Sequence, residues 1–251
     1  MKRFLILIGV VLTILAAQAD IAPQPSAYYE LRIYDVTSNK LDAVVERFHD
    51  TVEPVRQKYG ISTLGYWLVG TTNGDKFVYL MTAPSKEALK EKEKEFGADP
   101  KFKEGYAASN RKHGKTVDKI AALPMAAGPG AQYDLSAAKT PRVFDLRIYS
   151  VLPGKLDPFR NRWRDQAVPI YERHGLHSVG WWIAEQKDPD GNDRFICLLA
   201  GESADAIQKS IAAFHKDPEW QQVEKESERD GKLRSKVEAF KLTPAGFSGL
   251  K

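Results

Sequence analysis

The sequence predicts an α+β chain of two tandem β-α-β-β-α-β modules whose sheets cover one another. Two observations carry this. The heptapeptide Glu30-Leu31-Arg32-Ile33-Tyr34-Asp35-Val36 returns as Asp145-Leu146-Arg147-Ile148-Tyr149-Ser150-Val151, with five of seven positions identical and a carboxylate first in both. Landmarks downstream recur at constant spacing. Lys40-Leu41 with Lys155-Leu156, Phe48 with Trp163, Pro54 with Pro169, Gly60 with Gly175 and Trp67 with Trp182 are all 115 apart. The spacing then becomes 118, as for Phe77 with Phe195 and Asp99-Pro100 with Asp217-Pro218. The three extra residues fall within Lys187–Asp193, and a turn is where a duplication accepts an insertion.

In chain order, the N-terminus reads as a targeting segment. Lys2-Arg3 is a short basic region, Phe4 to Leu15 is mostly apolar, and Ala17-Gln18-Ala19 offers small residues for cleavage before Asp20. The run is short for a membrane span. Residues 1–19 are therefore expected to be a signal peptide, and the protein secreted or periplasmic. Residues 20–27 form a flexible, Pro-containing lead-in.

The first module is expected over 28–123. Alternation from Tyr28 to Val36 predicts a strand with Leu31 and Ile33 on one face and Glu30, Arg32 and Tyr34 on the other. Thr37-Ser38-Asn39 is expected to cap a helix, and Leu41, Val44, Val45, Phe48, Val52 and Val55 recur at helical spacing. Pro54 should kink that helix and Gly60 end it. Ile61–Val69 and Phe77–Met81 read as strands joined by a Thr72-Asn73-Gly74-Asp75 hairpin turn. A Lys/Glu-rich helical region opens at Pro84-Ser85, breaks at Gly97-Ala98-Asp99-Pro100 and resumes to about Lys112. Val117–Leu123 closes the module. The order is that of a ferredoxin-like fold. Residues 124–141, rich in Pro, Gly and small residues, read as a linker. The second module follows over 142–243, with 244–251 as a tail.

Composition sets outer limits. Hydrophobic residues make up 43% and charged residues 28%, as in an ordinary globular chain. The net charge of +4 falls to +2 without Lys2 and Arg3, which argues for no nucleic-acid partner, and no basic stripe with interleaved aromatics occurs. No membrane partner is expected after signal cleavage, and oligomers remain open. The single cysteine, Cys197, sits in an apolar strand and reads as a core hydrophobe. No Walker motif, dinucleotide fingerprint, Gly-x-Ser-x-Gly or Cys-x-x-Cys-His is present, so the sequence requires no cofactor.

A four-stranded sheet with helices on one face leaves the other face in need of a partner. If the two sheets cover each other, the Arg/Tyr faces meet inside. Glu30, Arg32, Tyr34, Asp145, Arg147 and Tyr149 would then line an interior that is either ion-paired or open to a ligand. Trp67 and Trp182 follow Tyr66 and Trp181 on the second strand of each module. Adjacent side chains alternate, so one ring should face the helices and the other the interior.

Tyr29-Glu30-Leu31-Arg32-Ile33-Tyr34, the helix after it, the aromatic strand ending at Trp67 and the repeats of these resemble the NIPSNAP family, within the dimeric α+β barrel group. The resemblance implies ferredoxin-like modules packed as an α+β barrel. It implies no agreed activity, although some barrel relatives bind haem or oxidise flat aromatic substrates.

Three functions stay open. The first is a binding or interaction protein whose barrel interior receives a small apolar or aromatic acid. Its contacts would be Glu30, Arg32, Tyr34, Trp67, Asp145, Arg147, Tyr149 and Trp182, with the arginines holding the acid. The second is a cofactor-free or haem-dependent monooxygenase-type enzyme, with His49 as a weaker candidate base or haem ligand. The third is a structural barrel in which each arginine neutralises its neighbouring carboxylate. His174 and His177 are spaced for a shared metal on a helix, but Gly175 interrupts them, so no metal site is expected.

Overall fold

A computed structural model describes residues 28–70, 74–127 and 142–251. The expected signal peptide and lead-in, part of the 72–75 turn and residues 128–141 lie outside the described residues. In order, the elements are β1 (Tyr28–Val36), α1 (Leu41–Arg47), α2 (Glu53–Lys58), β2 (Ser62–Val69), β3 (Lys76–Ala83), α3 (Lys86–Ala98), α4 (Pro100–His113) and β4 (Val117–Ala127). The same order follows in the second half: β5 (Val143–Val151), α5 (Leu156–Arg162), α6 (Val168–Arg173), β6 (His177–Ala184), β7 (Asp193–Gly201), α7 (Ala204–Lys216), α8 (Pro218–Ser227) and β8 (Arg234–Pro244).

The eight strands close into one antiparallel barrel in the order β1-β3-β2-β8-β5-β7-β6-β4. The halves join edge to edge, β2 to β8 through Trp67–Pro244 and Leu68–Thr243, and β4 to β6 through Met125–Ala184, Ala126–Ile183 and Ala127–Trp182. Closure leaves no open sheet edge.

A π-helical turn joins each first helix pair, at Phe48–Val52 and at Trp163–Ala167, directly before Pro54 and Pro169. Proline has no N–H to give the preceding turn, and the residue before it, Glu53 or Val168, bonds back five residues to Phe48 O or Trp163 O. The expected cap at Thr37–Asn39 is a tight turn instead. Lys40 N bonds Thr37 O at 3.0 Å, Asn39 has φ 61°, and no side chain caps α1. Real caps stand where Ser85 Oγ accepts from Ala88 N at 3.1 Å and where Asp99 Oδ1 accepts from Lys101 N at 2.7 Å.

Three expectations are corrected. The expected linker begins too early, because 124–127 belong to β4: Pro124 stands opposite Glu30, and its carbonyl accepts from Glu185 N at 2.8 Å. Small residues there allow β4 to reach β6. The expected tail is tied down. Ala245 N bonds Tyr66 O at 2.9 Å, Leu250 N bonds Leu64 O at 3.0 Å, and Leu250 is buried in the barrel core.

The third correction concerns the faces. The barrel interior is apolar, built from Leu31, Ile33, Trp67, Val78, Leu80, Met125, Leu146, Trp182, Ile196, Leu198 and Leu242 among others. The space left among them is about 10 Å³, too little for an organic ligand. Glu30, Arg32 and Tyr34 lie on the outer face of the sheet, under the helices, and Asp145, Arg147 and Tyr149 do the same in the second half. An eight-stranded barrel is filled by its own side chains and has no water for charged groups, so the apolar face turns inward. Both faces of β1 are buried, which hid this from the strand pattern.

Candidate functional site

The expected site residues therefore fall in three places. Trp67 and Trp182 belong to the barrel interior, while Tyr66 and Trp181 face the helices. Glu30, Arg32 and Tyr34 stand under the helices of the first half, and Asp145, Arg147 and Tyr149 under those of the second. The barrel core separates the two groups, so they form no single site.

Between the first-half sheet and its helices lies a cavity of about 610 Å³. Its closed end is made by Phe48, Val52 and Arg56, all buried. Phe96 and Phe102 form its helical wall and Arg32, Tyr34 and Val117 its sheet wall. Tyr106, at 42% exposure, and Ile120, at 52%, stand at the mouth with Lys115. A cavity of this size, mostly apolar with a few convergent polar groups, is the usual form of a small-molecule site.

Three arginines line it, and they differ in how they are satisfied. Arg32 is engaged at all three nitrogens: Nε with Glu30 Oε1 at 2.5 Å, Nη1 with the Tyr79 hydroxyl at 3.4 Å and Nη2 with Glu93 Oε1 at 2.7 Å. Arg47 donates to Ser109 Oγ at 3.0 Å and to Thr116 Oγ1, and its guanidinium carbon lies 4.8 Å from the centre of the Tyr106 ring. Arg56, only 3% exposed, donates to the hydroxyls of Tyr79 at 3.1 Å and Tyr66 at 3.4 Å; its Nε has no acceptor. Among the described residues no carboxylate pairs with Arg47 or Arg56. Glu53 bonds the Tyr66 hydroxyl and reaches Arg56 only through it. A buried cation without a counter-ion is costly, and two such groups on one cavity wall favour an anion inside it.

The Tyr34 and Tyr79 hydroxyls are 3.0 Å apart. Burial, followed by the Tyr79 neighbour, pushes the Tyr34 hydroxyl well above the ordinary phenol range. It keeps its proton and can donate it in a hydrogen bond.

The second half carries the same architecture, closed. Trp163 replaces Phe48, Trp220 replaces Phe102, and Tyr171 replaces Arg56 and stacks on Phe214 at 3.8 Å. The remaining space is about 70 Å³. Arg162, the counterpart of Arg47, pairs with Glu228 at 3.0 Å, where the first half has Asn110. Arg147 pairs with Asp145 at 3.2 Å. Burial raises the Asp145 carboxyl, and Arg147 opposes this. Bulk and charge balance thus both disfavour an organic anion here.

The histidines stand apart from the cavity lining. His49 is solvent-exposed, with Nδ1 2.6 Å from Asp50, and leans on Phe247. His174 bonds Asp217 at 2.8 Å and His177 bonds Glu172 at 2.6 Å, so the pair does not converge. Among the described residues no group of His, Cys, Asp and Glu has the arrangement of a metal site. Among the described residues no His, Cys or Met lines the 610 Å³ cavity, and its Tyr34 hydroxyl is held by Tyr79. The cavity offers no axial ligand suited to a haem among the described residues.

Sequence reasoning missed Arg47, Arg56, Tyr79, Phe96, Phe102 and Tyr106. Arg47 left a trace, since Arg162 repeats it beside the same aromatic position. Arg56 left a fainter one, an arginine one residue after Val55 on the apolar stripe.

The NIPSNAP family model matches residues 29–126 and again 144–249. The chain belongs to the NIPSNAP family. This NIPSNAP chain is also similar in fold to solved structures that it covers nearly end to end. A candidate monooxygenase from Fusobacterium nucleatum aligns with a TM-score of 0.58 at 9% identity, over 88% of this chain and 93% of that one. An anthrone oxidase-like protein aligns at 0.56 and 10% identity, over 90% and 94%. Chlorite dismutase from Candidatus Nitrospira defluvii aligns at 0.51 and 9%, over 89% and 93%. At such identities the likeness is one of fold. No curated protein matches the NIPSNAP chain.

Proposed function

We propose that this chain is a small-molecule-binding protein whose site is the first-half cavity, taking a flat apolar or aromatic ligand with an acidic group. The observation that carries this is the presence of buried Arg47 and Arg56, neither with a carboxylate partner among the described residues, on the wall of a 610 Å³ cavity with aromatic sides. The arginine–aromatic chemistry expected from the sequence is kept, but its place moves from the barrel interior to the space under the helices. We read each half as a ferredoxin-like module, on the strength of its element order and of the strand orders β4-β1-β3-β2 and β8-β5-β7-β6. Secretion, directly or to a periplasm, rests on Lys2-Arg3, the apolar run and Ala17-Gln18-Ala19.

The test is a thermal-shift and calorimetric screen of naphthoic and anthraquinone carboxylic acids. Asn110→Trp, which puts a large ring beside the cavity wall, serves as the blocked form. A saturable rise in Tm that Asn110→Trp removes supports the reading. Binding that Asn110→Trp leaves intact, or none across the panel, sinks it.

A second reading is a cofactor-free monooxygenase-type enzyme at the same place. It rests on the Tyr34–Tyr79 hydroxyl pair, in which Tyr79 accepts from both Arg32 and Arg56. Tyr34 would hold a substrate oxygen by donating to it. Oxygen consumption on addition of a bound, oxidisable aromatic acid, lost in Tyr34→Phe, would move the assignment to catalysis. Binding with no oxygen uptake would leave it with the first reading.

A further inference from the structure

Resting on the reading that the first-half cavity binds an acidic ligand, we infer that the ligand enters acid first and that Arg56 seats its acid group. Of the three cavity arginines, Arg56 is the one with a buried guanidinium nitrogen that no acceptor in the described residues meets. Arg32 spends Nε, Nη1 and Nη2 on Glu30, Tyr79 and Glu93. Arg47 spends Nε and Nη2 on Ser109 and Thr116. Arg56 spends one hydrogen of each Nη on a phenol, and its Nε, buried, has no acceptor. Rings cover the guanidinium, with Tyr79 4.6 Å, Phe96 5.7 Å and Phe48 5.8 Å from its central carbon to the ring centres. The donor left without an acceptor, Nε–H, lies on the N–H edge of the guanidinium, the part that matches a carboxylate with two parallel bonds.

The burial gradient sets the direction. Arg56, Phe48 and Val52 form the closed end, whereas Tyr106, Ile120 and Lys115 stand in solvent. A carboxylate on Arg56 places the apolar body against Phe48, Phe96 and Phe102, and the far end of the ligand at the mouth. Specificity then falls on the acid and on the first rings beyond it, while the distal end is free to vary. The second half agrees with this assignment. Tyr171 stands in the place of Arg56, and that pocket is filled.

The test compares naphthoic acid with its methyl ester by calorimetry on the chain from Asp20 onward, in wild type, Arg56→Met and Arg47→Met. The wild type should prefer the acid by roughly ten- to a hundredfold, the range for hydrogen bonds to a charged group. Arg56→Met should abolish the preference, the acid losing at least tenfold more affinity than the ester. Arg47→Met should keep it. A preference that survives Arg56→Met, or one that Arg47→Met alone removes, overturns the assignment. If neither compound nor any other aromatic acid binds the wild type, the binding reading itself fails. A second arm needs no variant. Naphthoic acid bearing a short polyethylene glycol chain on the ring distal to the acid should bind the wild type as the parent does. The same chain attached through the acid as an ester should not. The reverse order of affinities overturns acid-first entry.

Discussion

Arg162 meets Glu228 at 3.0 Å, and Arg47, its counterpart 115 residues earlier, has Asn110 where that glutamate would be. Both arginines are buried, and both bond a matching serine, Ser109 or Ser227. The halves therefore share a scaffold and differ in charge. Asn110→Glu should supply the missing carboxylate. It is expected to weaken binding of an aromatic acid by about threefold at most, since Arg47 adds only to the field around the acid group that Arg56 seats. The melting temperature should not fall. Calorimetry beside a melting curve checks both.

The barrel core and the cavity mouth should respond oppositely to truncation. Leu198 is 2% exposed inside the barrel, so Leu198→Ala should cost about 2–5 kcal/mol. Ile120 is a large apolar side chain at the mouth, and Ile120→Ser should stay within about 0.5 kcal/mol. Urea unfolding of the two variants provides the comparison.

Helix α4 rests on the π-helical turn through Gly105. A Cβ there would stand 2.5 Å from Thr51 Cγ2 and Oγ1. Alanine in place of glycine gains about 1 kcal/mol of helix propensity, but forcing a methyl against a β-branched side chain costs about 1–3 kcal/mol. Gly105→Ala alone should therefore destabilise. Combined with Thr51→Ala the two closest contacts go and one of 3.1 Å to Cβ remains, so Gly105→Ala should cost less in the Thr51→Ala background than in the wild type.

Asp99 and Asp217 open α4 and α8, and their carboxyls lie well below the ordinary carboxylate range. For Asp99 the cause is first the Lys58 hydrogen bond and then Tyr59 and the helix N–H groups. For Asp217 it is first Arg173 and then His174. A carboxyl depressed in the folded state contributes stability above its unfolded pKa of about 3.9 and loses it as pH falls toward the folded value. Stability should decline below about pH 4. Asp99→Asn should lower stability at neutral pH and flatten that acid limb, as melting temperatures across pH will show.

The strand–helix order, the break at Asp99-Pro100 and the turn insertion at Lys187–Asp193 were legible because each rests on local chemistry repeated twice. The facing of the sheets was not. Alternation in β1 separates Leu31 and Ile33 from Arg32 and Tyr34, but it does not say which set meets the helices when both are covered. Only closure of eight strands decides that. The cavity was illegible for a related reason. It exists where Phe48 and Phe102 are smaller than Trp163 and Trp220, and a void is a difference in packing. Arg56 looked like one more helical arginine until the helix placed it among Tyr66, Tyr79 and Phe96.

The most direct test is isothermal titration of the chain from Asp20 onward with naphthoic acid and its larger aromatic homologues. An open first-half cavity and a filled second-half one predict a stoichiometry of one per chain, abolished by Asn110→Trp. Two equivalent sites per chain, or one site indifferent to Asn110→Trp, would contradict it.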